Sequence, residues 1–219
     1  MYPLRDRKYH RAAWGRNRVP NTNTSRRGIR VELRTARTTE FVVTPIPEEY
    51  ELLFDAATVD HAVDQIAVRV ALELADALPV FVCIMNGGLP FMWDLTKRLN
   101  FPLAMDFLYA TRYGGMEGGE VRIHTRPRSN LRDRNVVVVD DVIDHGVTMQ
   151  TVVNEFEGTA AAVWTAVLVD KSERSVSADC RTLEPDFVAL TAPTRFLIGR
   201  GMDLDGLYRN LPGIYARVV

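Results

Sequence analysis

The sequence predicts an α/β domain built on a central, mostly parallel sheet flanked by helices. Three observations carry this. The runs VFVCIM (80–85) and VVVV (136–139) are apolar throughout, as parallel strands buried on both faces are. Segments with apolar residues at helical spacing alternate with those runs, which is the rhythm of βαβ units. The chain has 219 residues, of which 47% are apolar, enough to bury a sizeable core in one domain.

Residues 1–40 differ from the rest. They hold 11 Lys/Arg against 3 Asp/Glu, a balance of +8, whereas the remainder carries −9. They are poor in aliphatic side chains and show no sustained period. They read as a basic, disordered N-terminal extension preceding a domain over residues 41–219, with RGIRVELRTA as a candidate strand. A basic tail can touch nucleic acid. This one has no helix-turn-helix pattern, so no nucleic-acid partner is expected.

The regular pattern begins near residue 47. Ile66, Val70, Leu74 and Leu78 repeat at helical spacing, predicting a helix over Thr58–Leu78, capped by Asp60 or Thr58 and stopped by Pro79. The strand 80–85 follows, then a turn at Asn86-Gly87-Gly88, a helix over Leu89–Leu99 and a strand over Leu103–Tyr109. RYGGMEGGE (112–120) holds four glycines in nine positions, a loop hard to hold rigid without a ligand. Glu120–Thr125 reads as a hairpin strand, Val136–Val139 as a buried strand and Thr148–Glu157 as a helix. Ala160–Val169 and Phe187–Leu190 complete the sheet.

Two cysteines, Cys83 and Cys180, form neither a disulfide framework nor a zinc spacing. Cys83 lies in an apolar run and reads as a buried small hydrophobe. A reducing, cytoplasmic setting is expected. No run approaches the ~18–20 apolar residues of a membrane span, and no apolar secretory core is present, so no membrane partner is expected.

The chemistry concentrates at VVVVDDVIDHGVT (136–148). Asp140 and Asp141 follow a strand buried on both faces, and the carboxyl end of such a strand is where open α/β sheets bind ligands. Asp144-His145-Gly146-Val147-Thr148 then leads into a helix. Backbone N–H groups there suit a phosphate monoester, Gly146 lets the backbone approach it, and Thr148 adds a hydroxyl. Paired carboxylates can accept hydrogen bonds from the vicinal hydroxyls of a ribose. Their spacing from the loop matches the two ends of a ribose 5-phosphate.

That segment resembles the phosphoribosyl pyrophosphate signature of type I phosphoribosyltransferases, and the resemblance spans about residues 45–219. Within the fold it is most similar to hypoxanthine-guanine phosphoribosyltransferases. The resemblance implies the type I phosphoribosyltransferase fold, with a small hood and a flexible lid loop. It implies Mg2+ as cofactor, and phosphoribosyl pyrophosphate and a 6-oxopurine base as substrates. The reaction would be transfer of the 5-phosphoribosyl group to N9 of hypoxanthine or guanine in purine salvage. A homodimer or homotetramer is implied as well. A xanthine-preferring transferase and a non-catalytic regulator that binds phosphoribosyl pyrophosphate are the alternatives sharing the motif.

The resemblance also assigns roles. Asp140 and Asp141 meet the ribose hydroxyls, Asp140 through magnesium. Asp144 stands beside the purine N7 as the catalytic carboxylate, and Asp144, His145, Gly146, Val147 and Thr148 hold the 5-phosphate. Asn86 and Gly87, after a cis peptide, and Arg209 contact pyrophosphate. Lys171 donates to the exocyclic O6, Phe196 stacks on the purine, and the Leu197 backbone reads the base edge. Asp203 lies near a second magnesium, and Arg112 and Tyr113 belong to the lid. The chain departs from the family pattern at three of these positions. Asn86 replaces a frequent Lys, His145 a Thr, and Arg112 a small hydroxyl residue.

Overall fold

The computed structural model describes residues 45–113, 119–171 and 183–218, with the Tyr113 side chain excepted. The basic stretch 1–40 with its candidate strand, the interior of the glycine-rich loop and Cys180 lie outside the described residues. In chain order the elements are β1 (Tyr50–Phe54), α1 (Ala56–Leu74), β2 (Val80–Met85), α2 (Gly88–Thr96), β3 (Ala104–Tyr113) and β4 (Glu120–Thr125). They continue with β5 (Asn135–Ile143), α3 (Val147–Phe156), β6 (Ala162–Asp170), β7 (Phe187–Thr191), β8 (Leu197–Ile198) and β9 (Ile214–Arg217).

Six strands form the main sheet in the order β4-β3-β2-β5-β6-β7. All neighbours are parallel except the β3–β4 hairpin, so the expected α/β architecture is the one observed. Alternation along β5 explains its unbroken Val run. Val137 and Val139 pack with Val63, Ile66, Phe91 and Leu95 of α1 and α2. Val136 and Val138 pack with Met149, Val152 and Phe156 of α3. A strand with helices on both faces has no polar face to offer. Cys83 is fully buried in the same layer, as expected of a small hydrophobe.

The strand order places the site. The chain leaves β2 toward β3 on one side, and leaves β5 toward β6 and β7 on the other. The carboxyl ends of β2 and β5 therefore border the crevice where an α/β sheet reverses its winding.

Two expectations are corrected. Helix α1 is capped by Asp55, whose Oδ1 accepts a hydrogen bond from Thr58 N at 2.8 Å, and not by Thr58 or Asp60. It also ends at Leu74. Leu78 precedes Pro79, which disfavours the helical region, and it adopts φ 47° with its side chain exposed. The helical period simply ran past the stop. In addition, β1, β9 and β8 form a separate antiparallel sheet in that order, corresponding to the hood. Its strands come from residues 50–54, 197–198 and 214–217, and no local pattern announces such a pairing. No helix among the described residues is long and apolar enough to cross a membrane.

Candidate active site

Two adjoining clefts open at the crevice. The larger, of about 310 Å³, is lined by Asn86 and Gly87 after β2, Asp140 and Asp141 of β5, and Lys171 after β6. Phe196, Leu197, Asp203 and Arg209 of the C-terminal segment complete it. The smaller, of about 120 Å³, is lined by Asp140, the loop Asp144–Thr148, and Arg112. Asp140 and Val142 border both. Arg112 therefore lies with the 144–148 loop, not with Asn86, Gly87 and Arg209.

The Asp pair is set by the strand end. Asp140 Oδ1 accepts from Asp141 N at 2.9 Å, and Asp141 Oδ1 accepts from Val142 N at 2.8 Å. Burial pushes both carboxyls above the usual carboxylate range. For Asp140 the neighbouring Asp141 charge adds to the rise, while Arg209 pulls both down. Such a pair favours a hydroxyl donor or a cation beside it, because either relieves the cost of holding charge there.

The floor of the larger cleft is backbone on backbone. A Cβ at Gly87 would lie 2.2 Å from Asp141 Oδ2, and one at Gly201, where φ is +112°, would lie 2.1 Å from Gly87 O. No side chain fits between these segments. The Met85–Asn86 peptide is cis.

Gly146, with φ 81°, opens α3 and contributes no side-chain cap, so the first amides of the helix have no capping oxygen from it. Gln150 N donates to Gly146 O at 2.8 Å. The Asp144 carboxylate, half exposed, has two cationic or potentially cationic neighbours. Lys171 Nζ is 3.9 Å from its Oδ2, and His145 Nε2 is 3.9 Å from its Oδ1. Lys171 is anchored by its own N–H, which donates to Ile143 O at 3.0 Å. Asp144 lines the smaller cleft and Lys171 the larger, so this pair spans the junction.

In the C-terminal segment Phe196 is 45% exposed and touches Tyr50 edge-on at 6.5 Å between centroids. Leu197 is buried and its strand pairs with β9. Asp203 is engaged twice: Oδ1 pairs with Arg209 at 2.7 Å, and Oδ2 accepts from Gly206 N at 2.7 Å. Arg209 also donates to Gly201 O at 2.5 Å.

Sequence reasoning missed Arg200. Its guanidinium donates to Asp94 Oδ2 at 2.6 Å, to Asp60 Oδ1 at 3.0 Å, and to the carbonyls of Pro212 and Ala56 at 2.5 and 3.4 Å. This ties the turn that carries Gly201 and Asp203 to α1 and α2. The only local signal was a charge directly after the apolar run FLIG.

A family model for the phosphoribosyl transferase domain matches residues 50–190. The chain is 32% identical over 165 residues to a hypoxanthine-guanine phosphoribosyltransferase of Streptococcus thermophilus, covering 74% of this chain and 89% of that protein. It is 29% identical over 174 residues to a hypoxanthine-guanine-xanthine phosphoribosyltransferase of Tritrichomonas foetus, covering 78% and 93%. Among solved structures, a hypoxanthine phosphoribosyltransferase of Staphylococcus aureus superposes with a TM-score of 0.70 at 25% identity, covering 76% of this chain and 90% of that one. With the fold, the Asp-Asp strand end and these likenesses together, the chain belongs to the phosphoribosyltransferase family, in the group of the hypoxanthine-guanine enzymes.

Proposed function

We propose that this chain transfers the 5-phosphoribosyl group from phosphoribosyl pyrophosphate to N9 of hypoxanthine or guanine, releasing pyrophosphate. The observation that carries this is the junction at Asp140 and Asp144. One cleft is lined by the 144–148 loop, the other by the Phe196 ring and the Lys171 ammonium, while Asp140 borders both and Asp144 reaches Lys171 across the junction.

In this reading the 5-phosphate lies on residues 144–148 and the ribose hydroxyls on Asp140 and Asp141. The purine stacks on Phe196, with the Leu197 backbone at its edge. Lys171 offers donors only, which suits an O6 acceptor and rejects a 6-amino group. Pyrophosphate lies against Asn86, Gly87 and Arg209. The C1–oxygen bond to pyrophosphate breaks, the N9–C1 bond forms, and the base proton passes at N7 to Asp144. Holding base and sugar in register supplies much of the acceleration. Arg112 and Tyr113 flank the loop read as a lid.

The donor set fits Mg2+. Asp140 and Asp203 offer hard carboxylate oxygens, and among the described residues no cluster of three or more His, Cys, Asp or Glu would hold a metal alone. Mg2+ takes one or two carboxylates together with waters and substrate phosphates. When bound it would neutralise charge on the departing pyrophosphate. A homodimer or homotetramer is supported by exposed Met105, Phe107 and Tyr109 on one face of β3, with Trp93 exposed on α2.

Purified protein is to be incubated with magnesium, phosphoribosyl pyrophosphate and each of hypoxanthine, guanine, xanthine and adenine. Nucleotide is expected from the first two and none from adenine. Tight donor binding without turnover of any oxopurine would identify a regulator and refute the proposal.

A further inference from the structure

We propose that the Arg112 guanidinium binds the 5-phosphate monoester, on the sugar donor and on the nucleotide product alike; this rests on the phosphoribosyl-transfer reading above. A residue at the mouth of the glycine-rich loop would be expected to serve pyrophosphate. The geometry points elsewhere. Arg112 lies near the end of β3, in register with Val121 of β4, and lines the smaller cleft opposite no other lysine or arginine. Among the described residues its one hydrogen bond is from Nε to Gly119 O at 3.4 Å, which leaves both terminal amino groups for a ligand.

Charge favours the role. The loop Asp144–Thr148 contains no Lys or Arg, and Asp144 and Asp140 both border the cleft. Lys171, 3.9 Å from Asp144, lines the other compartment. A phosphate dianion entering the smaller cleft would thus meet two carboxyl groups, the His145 imidazole, which lies 3.9 Å from Asp144, and a single guanidinium. Backbone N–H groups bind the oxygens but carry no net charge. A planar guanidinium supplies the charge and a two-pronged fork matched to two phosphate oxygens. Its root on a strand of the main sheet holds that fork near the loop more firmly than a loop residue would.

The test compares wild type, Arg112→Ala and Arg112→Lys by calorimetry with three probes. These are ribose 5-phosphate, inosine monophosphate and inorganic pyrophosphate with magnesium. Arg112 is exposed, so its replacement leaves no buried group unpaired, and unchanged thermal unfolding checks the fold. Arg112→Ala is expected to weaken both 5-phosphate ligands by about tenfold or more and to leave pyrophosphate unchanged. Arg112→Lys should recover part of the loss, because it restores charge without the fork. Undiminished inosine monophosphate binding in Arg112→Ala overturns the inference alone. So does a loss confined to pyrophosphate, which would return Arg112 to the leaving group. Wild-type protein that binds neither 5-phosphate ligand overturns the inference and the transfer reading together.

Discussion

Replacing Arg200 by Leu tests whether the C-terminal turn is clamped to the helices by charge. Arg200 holds φ 50°, a left-handed conformation that costs a side-chain-bearing residue ~1 kcal/mol. Its guanidinium, only 14% exposed, contacts Asp94 at 2.6 Å and Asp60 at 3.0 Å. Removing one partner of a buried ion pair costs about 3–5 kcal/mol. The lower end applies here. Asp94 keeps Lys97 at 2.5 Å, and Asp60 is 48% exposed and can be solvated. Leu carries the same Cβ, so the backbone strain is unchanged, and a loss of about 3 kcal/mol corresponds to a fall in Tm of roughly 6–12 °C for a domain of this size. The assay is thermal unfolding followed by circular dichroism, repeated in an Asp94→Asn background. There the Leu substitution should cost about 2 kcal/mol less, since the two sites share one interaction. A fall under about 2 °C, or full additivity of the two changes, would refute the clamp.

Other consequences follow from the site. Gly87→Ala puts a methyl 2.2 Å from Asp141 Oδ2 and must displace one of them; displacements near 1 Å cost about 100-fold in rate. Steady-state kcat/KM should fall by that order, whereas Gly158→Ala, at φ +77° in open space, should lose only stability. More than a third of wild-type activity in Gly87→Ala would mean the floor is not close-packed. The Asp140 carboxyl is raised by burial and by Asp141, so the folded state binds its proton more tightly than the unfolded chain does. Its contribution therefore falls as pH rises from the unfolded value, ~3.9, through the raised folded one. In the absence of ligands and metal, Asp140→Asn should be stabilising at pH 7.5, with the gain shrinking toward pH 4. A Tm difference independent of pH would contradict this. Asp144→Asn should lower turnover by about 100-fold or more while donor affinity changes little, and equal turnover would reject its proton-handling role.

What the sequence could disclose depends on whether a residue's partners are its neighbours along the chain. Residues 136–148 carry their own geometry: a doubly buried strand, a carboxylate pair at its end and a loop into α3. Each is a local consequence of residue type, so the strand and the gathering of these residues at one crevice were legible together. The helical period around Ile66 was equally local, but its end was not. Leu78 continues the count, and only the backbone restriction imposed by Pro79, with exposure of the side chain, removes it from the helix.

The rest of the site depends on contacts across long separations. Tyr50 pairs with Arg217 in the small sheet, and nothing in YELLF distinguishes that strand from the start of the helix that follows it. Gly201 meets Gly87, and Arg200 meets Asp60 and Asp94, over more than 100 residues in each case. A charged residue after an apolar strand has the same local signature whether it is solvated, bound to ligand or clamped to a helix. Arg112 and Arg200 illustrate this. The first was singled out because it departs from a family pattern, yet its cleft could not be foreseen. The second was passed over although its four acceptors make it the better-anchored of the two. Discriminating them takes partners, and partners are a property of the sheet order. Once β2 and β5 are adjacent, a clamp on the turn carrying Gly201 bears directly on the backbone at Gly87. That is why Arg200, which lines neither cleft, bears on the shape of the larger one.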